Sequence, residues 1–455
     1  MIFAAAVVPA RAQMGSSLGF HIILACFGVA FPAIALSAEW IGVRRGDPVA
    51  LLLARRWSKV MAVLFAVGAV SGTVLSYEMG LLWPGLMGRF GEALGIPFTM
   101  EAVFFFLEAI FTGIYLYGWD RLSPRAHLWS GIPLPITGAL GLFSVLAANS
   151  WMNSPAGYTM RHGRIASIDP WAVFFNASTP YESAHMLLAA YMVTGFTIAG
   201  IYATGMLRGR RDHYHRLGLR VSFLAGATAT PLQAIVGDSV ARFVEHTQPV
   251  KFAAMEYVPN TARDVPEYLG GVLVNGKVDL ALNVPGLDSI LVGWTPSTKV
   301  IGYRSVPPDR RPPLMSLIHL SFDLMVVIAF ALLALVCWAG WVWWYERRWP
   351  KSNWFLVCVA LSGVASIAAM ESGWIVTEVG RQPWVVYGVE LTSAAVTRAR
   401  GVGVTLGVIL AVYLVITVCS IAVPMMMSRR WRNEPPGDEG ASVPYGPPDR
   451  QAAPR

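Results

Sequence analysis

The sequence predicts an all-α polytopic integral membrane protein with about nine transmembrane helices and one long external loop. Three observations lead there. Of 455 residues, 55% are hydrophobic and only 14% charged, where a soluble domain carries about a quarter charged. The mean hydropathy is +0.52. Apolar runs long enough to cross about 30 Å of hydrocarbon recur along the chain, and the bilayer is therefore the solvent in which the fold has to be understood.

The runs follow in order. The first, 15–38, ends before Arg44 and Arg45, and the second, 58–78, follows Arg55 and Arg56 with Lys59 at its edge. The third, 98–118, carries Glu101 and Glu108 and stops before Arg121, while the fourth, 127–148, follows Arg125. The fifth, 183–206, opens on His185 and closes before Arg208, and the sixth covers 217–237. The seventh, 314–344, ends before Arg347 and Arg348; the eighth, 354–376, follows Lys351; the ninth, 402–427, precedes Arg429, Arg430 and Arg432.

Counted by side, one set of connections holds eighteen Lys and Arg residues and the other holds seven: Arg11, Arg89, Arg161, Arg164, Arg381, Arg398 and Arg400. Positive residues collect on the cytoplasmic side, which predicts a cytoplasmic C-terminus and an external N-terminus. The net charge of +8 is thereby accounted for by topology, and no nucleic-acid partner is expected. Residues 1–237 then hold helices one to six, 238–313 form an external loop, 314–430 hold helices seven to nine, and 431–455 read as a disordered cytoplasmic tail. Met1 to Gln13 includes Ala10-Arg11-Ala12, similar to a signal-peptidase site, but its apolar part is short and no positive charge precedes it. An uncleaved start is expected. No internal repeat is visible. Cys26, Cys337, Cys358 and Cys419 all lie in predicted spans without CxxC spacing, so buried, inert thiols are expected.

An ionisable group at bilayer depth costs about 2.5 to 3.5 kcal/mol on insertion scales and needs a reason. Glu101 and Glu108 are seven apart, nearly two turns, so they share a helix face and suit a proton relay; Glu371 and Glu378 repeat the spacing. Pairing with Arg or backbone is the bland alternative for any one of them. Asp323 is a further acidic residue within a span. His21 and His185 lie in apolar helices, and Met325 follows Ser321-Phe322-Asp323-Leu324. Imidazole and thioether are axial haem ligands, although a lone His also serves as a helix contact and a lone Met as packing. Gly373 to Trp384 packs an acid, a cation, Gly, Pro and two Trp into twelve positions; an interfacial anchor explains Trp384 and Arg381 but not Glu378. In the long loop, Lys251 and Glu256 flank a small apolar stretch, a spacing that solvated surface pairs also show.

Taken together, these pieces resemble subunit I of the cytochrome bd family of bacterial quinol oxidases, from about residue 9 to 430. Gly380-Arg381-Gln382-Pro383-Trp384 carries the resemblance most specifically, supported by Arg11-Ala12-Gln13, Trp57-Ser58-Lys59, Gly118-Trp119-Asp120-Arg121, Ala148-Asn149-Ser150-Trp151-Met152 and Gln248-Pro249-Val250-Lys251. The resemblance implies His185 and Met325 as the two ligands of a low-spin haem b. It implies His21 and Glu378 as single ligands of a high-spin haem b and of haem d, or a haem b in its place, without saying which serves which. Arg381, Gln382, Trp384 and Glu371 would surround these haems, Lys251 and Glu256 would contact quinol (ubiquinol or menaquinol), and Glu101 and Glu108 would supply protons for the reduction of O2. It further implies a homologous membrane subunit II, often with a very small third subunit, in the bacterial inner membrane. Two departures stand out: the loop is of the short type, and Asp323 occupies a place where other members carry Arg. A secondary transporter would share the intramembrane carboxylates but has no use for His185 with Met325; a b-type quinone-linked carrier would explain the His residues but needs no oxygen site.

Overall fold

The structure is a computed structural model and describes residues 2–432, with side chains from residue 7. The tail expected to be disordered lies, from Asn433, outside the described residues. The chain begins with α1 (Ile2–Arg45), α2 (Pro48–Leu82), α3 (Pro84–Gly118), α4 (Pro124–Gly131) and α5 (Pro133–Asn153). A ribbon of β1 (Tyr158–Arg161) and β2 (Arg164–Ile168) leads to α6 (Pro170–Phe174), α7 (Thr179–Leu207), α8 (His213–Thr247) and α9 (Pro249–Met255). The long loop adds β3 (Glu267–Leu269), β4 (Val272–Val274), β5 (Lys277–Asp279), β6 (Leu282–Val284) and α10 (Leu287–Gly293). Then come α11 (Met315–Glu346), α12 (Asn353–Gly380), β7 (Trp384–Val386), β8 (Glu390–Leu391), α13 (Thr392–Ala395) and α14 (Val402–Arg432).

Among the described residues, nine segments are long and apolar enough to span, α4 and α5 together making one of them. Their helices overshoot the apolar runs at most ends, because backbone hydrogen bonding does not stop where the side chains turn polar. Starts are well marked. Asp47 accepts from the N–H groups of Val49 and Ala50 ahead of α2, Asp212 caps α8, and Ser352 caps α12. Pro133 divides the fourth span, since a proline at that point has no N–H to continue the ladder. The expected loop 238–313 is shorter in fact: α8 absorbs its first residues to Thr247.

Helices meet where side chains vanish. A methyl on Gly195 of α7 would stand 2.6 Å from the backbone N of Gly226 in α8, and one on Gly363 of α12 2.6 Å from Thr197 Cα. Close backbone approach of this kind holds α7, α8 and α12 together without a hydrophobic drive between helices. The main core joins α1, α2, α7, α8, α11 and α12 around Trp57, Phe196, Phe223 and Phe355. By contrast, 6% of the apolar window of α14 is buried against 67% for α7, so α14 faces lipid or a partner. The expectation of buried thiols holds for Cys26 alone; Cys337, Cys358 and Cys419 are exposed. A span apolar all round does not reveal which stripe meets protein and which meets lipid.

The two ends of the bundle differ. At one end lie the arginine-rich connections, with exposed Trp341, Trp343, Trp344 and Tyr345 closing α11. At the other, the long loop folds on α9, with β3–β6 and β4–β5 as antiparallel ribbons and a small core of Phe252, Val258, Val265, Val300 and Tyr303. Gly271 (φ +93) turns between them where a methyl would meet Ala281 Cβ at 2.7 Å.

Candidate functional site

α1 carries His21 in the bundle interior. Its Nδ1 lies 2.9 Å from Ser71 Oγ, and that hydroxyl donates to the carbonyl of Gly68 at 3.0 Å. Ser71 therefore accepts from Nδ1–H, and the tautomer leaves the Nε2 lone pair free. The ring faces Gly72, where a methyl would come within 3.0 Å of Cε1. Two residues before His21, Gly19 gives the same relief to Glu371 of α12, whose Oε2 would be 3.0 Å from an added methyl and whose Oε1 is buried without a partner.

His185 of α7 and Met325 of α11 also face glycines. Gly237 of α8 lies beside His185 Cε1, and Gly373 of α12 leaves its space to Met325 Sδ, 3.0 Å from where a Cβ would be. The one polar neighbour of the His185 ring among the described hydrogen bonds is Gln233 Nε2, 3.3 Å from both ring nitrogens. An amide placed between two ring nitrogens satisfies neither well, and Gln233 Oε1 has no partner. Free imidazole nitrogens, a thioether and bare backbone beside them are a donor set and a space that suit a flat porphyrin with its iron.

The end of α12 is organised by Arg381, 3% exposed. Its Nη2 donates to both oxygens of Glu378 at 2.8 and 2.7 Å, and its Nη1 to Asn149 Oδ1 at 3.3 Å. Asn149 and Asn153 in turn donate to the two oxygens of Glu182, each at 2.8 Å. Gln382 accepts from Thr392 at 2.7 Å, and Trp384 lies under the Arg310 guanidinium at 4.9 Å. Arg11 stands within reach of the Glu378 charge. The motif thus binds α12, α5 and the following ribbon into one piece.

Lys251 and Glu256 are not the solvated pair their spacing allowed: they are 5% and 4% exposed. The short helix α9 sends them to different neighbours. Lys251 packs its stem on Gly380, with the charges of Glu182, Arg381 and Glu378 around it, and burial first of all lowers its pKa to about 8. Glu256 is held well above the ordinary carboxylate range by burial and by the acidic groups Glu267, Asp288 and Asp323. Lining a 250 Å³ cavity beside Lys251 are Arg310, Arg381, Gln382, Trp384 and Tyr387.

Glu101 and Glu108 share a face of α3 as the spacing predicted, close enough for each charge to act on the other. Glu108 is 8% exposed and sits in a notch made by Gly28 of α1 and Gly138 of α5. Asp323 does not point into the bundle alone. It accepts from the N–H of Gly270 and lies 3.4 Å from His319, whose two ring nitrogens lie against the carbonyls of Met255 and Gly270. Together they tie the long loop to α11.

Several of these residues escape a reading of the sequence. Glu182 stands one turn before His185, a signal that was there to use. Ser71, Gln233 and Gly237 carry none, since their relevance lies in what crosses from another helix. Glu78, whose Oε1 accepts from Gln13 at 2.9 Å, sits at the margin of its span.

A helical membrane bundle holding two imidazoles and a thioether against glycine notches, with an arginine-paired carboxylate at its end, defines a class: an intramembrane redox protein of the cytochrome type. Comparison with known proteins gives the family. The cytochrome bd terminal oxidase subunit I family matches residues 9–434. A protein named as a cytochrome bd menaquinol oxidase subunit I in Bacillus subtilis (strain 168) is 34% identical over 93% of this chain and 97% of its own length. A cytochrome bd ubiquinol oxidase subunit 1 of the same organism is 27% identical over 86% of each. A chain in the structure of bd oxidase from Geobacillus thermodenitrificans superposes with a TM-score of 0.88 at 35% identity, covering 94% of this chain and all of that one. The chain belongs to the cytochrome bd oxidase subunit I family.

Proposed function

We propose that this chain is the haem-bearing subunit of a bd-type quinol oxidase, and that it takes electrons from quinol at the loop end and protons for water from the arginine-rich end. Family membership sets aside the secondary transporter and the plain b-type carrier. Haem iron, when bound, supplies one-electron transfer and, at a centre with a free axial position, the reduction of oxygen. His185 and Met325 would together hold a low-spin haem b; His21 and Glu378 would each hold one of the other two, a high-spin haem b and a haem d or haem b.

The protein's own part is positioning and proton handling. Ser71 fixes the His21 tautomer, which keeps Nε2 a ligand rather than a donor. Arg381 orients the Glu378 carboxylate and offsets its charge. Beside the Lys251 cation, quinol would dock within reach of Glu256, whose carboxyl takes the proton as electrons depart. Glu108, reached from Glu101, brings protons inward, and Glu371, packed against Gly19 of the helix that carries His21, has a free oxygen to receive them.

Sidedness follows from charge: the arginine-rich end is cytoplasmic and the loop end external, in a bacterial inner membrane. Release outside and uptake inside then build a proton motive force without a pump. The lipid-facing stripe of α14, with those of α2 and α3, leaves room for a homologous subunit II and a very small third subunit. Relatives are named for menaquinol and for ubiquinol, and either fits the quinol class.

The observation that carries the ligand assignment is His21, engaged on one nitrogen, free on the other, and facing a glycine. In the purified complex, Glu378→Ala should remove one high-spin haem signal, keep the low-spin spectrum, and cut oxygen consumption by about a hundredfold or more, beyond what outer-shell changes cost. An unaltered spectrum would falsify the assignment.

A further inference from the structure

Under the long loop three carboxyl groups are buried in series: Glu256 at the end of α9, Glu267 in β3 and Asp288 in α10, with exposures of 4%, 5% and 1%. Glu256 and Glu267 hydrogen-bond to each other, which two carboxyl groups manage only by holding a proton between them. Beyond that shared proton Glu256 Oε2 and Glu267 Oε2 have no partner, and both oxygens of Asp288 have none at all. Two buried acceptors on Asp288 without donors are costly in a purely structural cluster.

The series has a direction. Asp288 is near enough to interact with both Glu267 and Glu256, and on its far side it faces Glu245 of α8, half-buried and followed by exposed His246. The remaining polar neighbours are committed elsewhere: Asp323 accepts from Gly270, and the His319 ring lies between the carbonyls of Met255 and Gly270. Burial raises the pKa of Glu267 against the opposing effect of the hydrogen bond from Glu256, and burial followed by the negative charge of Glu267 and Glu245 raises that of Asp288 to about 8. Asp288 therefore holds and releases a proton near neutral pH.

We propose that Glu267 and Asp288 are proton-relay residues, carrying the protons of quinol from Glu256 to water at the loop end. The proposal rests on Glu256 being the quinol's proton acceptor. Quinol becomes quinone by losing two electrons, which end on oxygen in the overall reaction, and two protons. For each turn, Asp288 releases its proton past Glu245 and the proton shared by Glu256 and Glu267 moves on through Glu267 to Asp288, which leaves Glu256 a carboxylate; an O–H bond of quinol then breaks and one forms on Glu256, restoring the pair. Neither relay residue touches the quinol; both act through Glu256.

The experiment uses the purified oxidase complex with two electron donors. One is a soluble quinol, and the other is tetramethyl-p-phenylenediamine, which gives single electrons and no quinol proton. Glu267→Gln should lower kcat with quinol by about ten- to a hundredfold and Asp288→Asn by about tenfold. KM should stay within about twofold of wild type, and the reduced-minus-oxidised spectrum and the diamine-driven rate should not change. Glu267→Asp, which keeps an acid, should recover most of the rate. Wild-type kcat and pH profile in both variants, or an equal loss with both donors, overturns the relay. Glu256→Gln separates the two ideas: if it is slow while the others are normal, the relay alone falls, and if it too is normal, the quinol-site reading falls with it.

Discussion

Buried acidic residues occur at both ends of the bundle, and they are treated in opposite ways. Near the arginine-rich end, Glu39 and His127 have side chains wholly removed from solvent and 2.7 Å apart. Tyr115 donates to the second Glu39 oxygen at 2.6 Å, and His127 Nε2 donates to the Tyr115 carbonyl at 2.9 Å. Trp119 donates to Ser58, Trp57 to Tyr202, and Arg55 grips Asp120 through two contacts of 2.7 Å. Toward the loop end, Glu371 and Asp288 leave oxygens without partners, and Glu256 and Glu267 have none for Oε2 beyond each other. Burial of a carboxyl group is common to both regions, so it does not mark function. Incomplete satisfaction does: a closed network holds helices in place, and an open oxygen is available to a proton or a ligand.

The difference can be broken most sharply at the closed network. Glu39→Ala strands a buried imidazole and a phenol and should destabilise the protein by about 3 to 5 kcal/mol, seen as a large drop in the thermal midpoint, while whatever folds keeps its haem spectrum. A mild effect would mean the network is not what holds that end together. Glu371→Gln should behave in the reverse sense. Its Oε1 has no bond to lose, so stability should move by less than about 1 kcal/mol, while turnover falls by about tenfold through the lost proton acceptor; melting without a change in turnover would erase the contrast.

A pH series sharpens it further. Asp288 is lifted from 3.8 to about 8 by burial and by Glu267 and Glu245, and Glu267 is shifted in the same direction. A raised carboxyl contributes stability that is whole below its unfolded value and lost as pH climbs through the folded one. The unfolding midpoint should therefore fall between pH 5 and pH 8, and Asp288→Asn should flatten that slope. Lys251, lowered to about 8, acts with the opposite sign only above this window. Smallest of all, Ser71→Ala should cost about 0.5 to 1.5 kcal/mol and weaken haem retention at His21 by about tenfold, measured by titrating the haem-depleted complex. Unchanged retention would separate the hydroxyl from the tautomer it is argued to fix.

Much of this protein could be read without coordinates, and particular residues show why. Length and apolarity set the nine spans, because hydrocarbon thickness admits few solutions, and Glu101 and Glu108 shared a face because helical geometry permits nothing else. His21, His185, Met325 and Glu378 stood out because each is expensive or unusual at its depth, and the motif around Arg381 placed them in a family. The fate of Lys251 and Glu256 was different: a short helix in a polar loop has no periodic signal, and the same two residues would look alike on a wet surface. Cys337 and Cys419 misled for a related reason, since lipid and protein interior ask for the same side chains.

The sequence alone determined the span number, the sidedness expected from its charges and the chemical types available as ligands, since those depend on local composition against a fixed slab of hydrocarbon. Only the tertiary structure decided that Gly72, Gly237 and Gly373 face three of the four ligand candidates, and that Asn149 joins Arg381 to Glu182. It alone showed that the acids of Glu256, Glu267 and Asp288 stand together in one buried cluster. Those relations cross between helices and loop segments far apart in the chain, and contact at a distance is the quantity that a linear pattern does not contain.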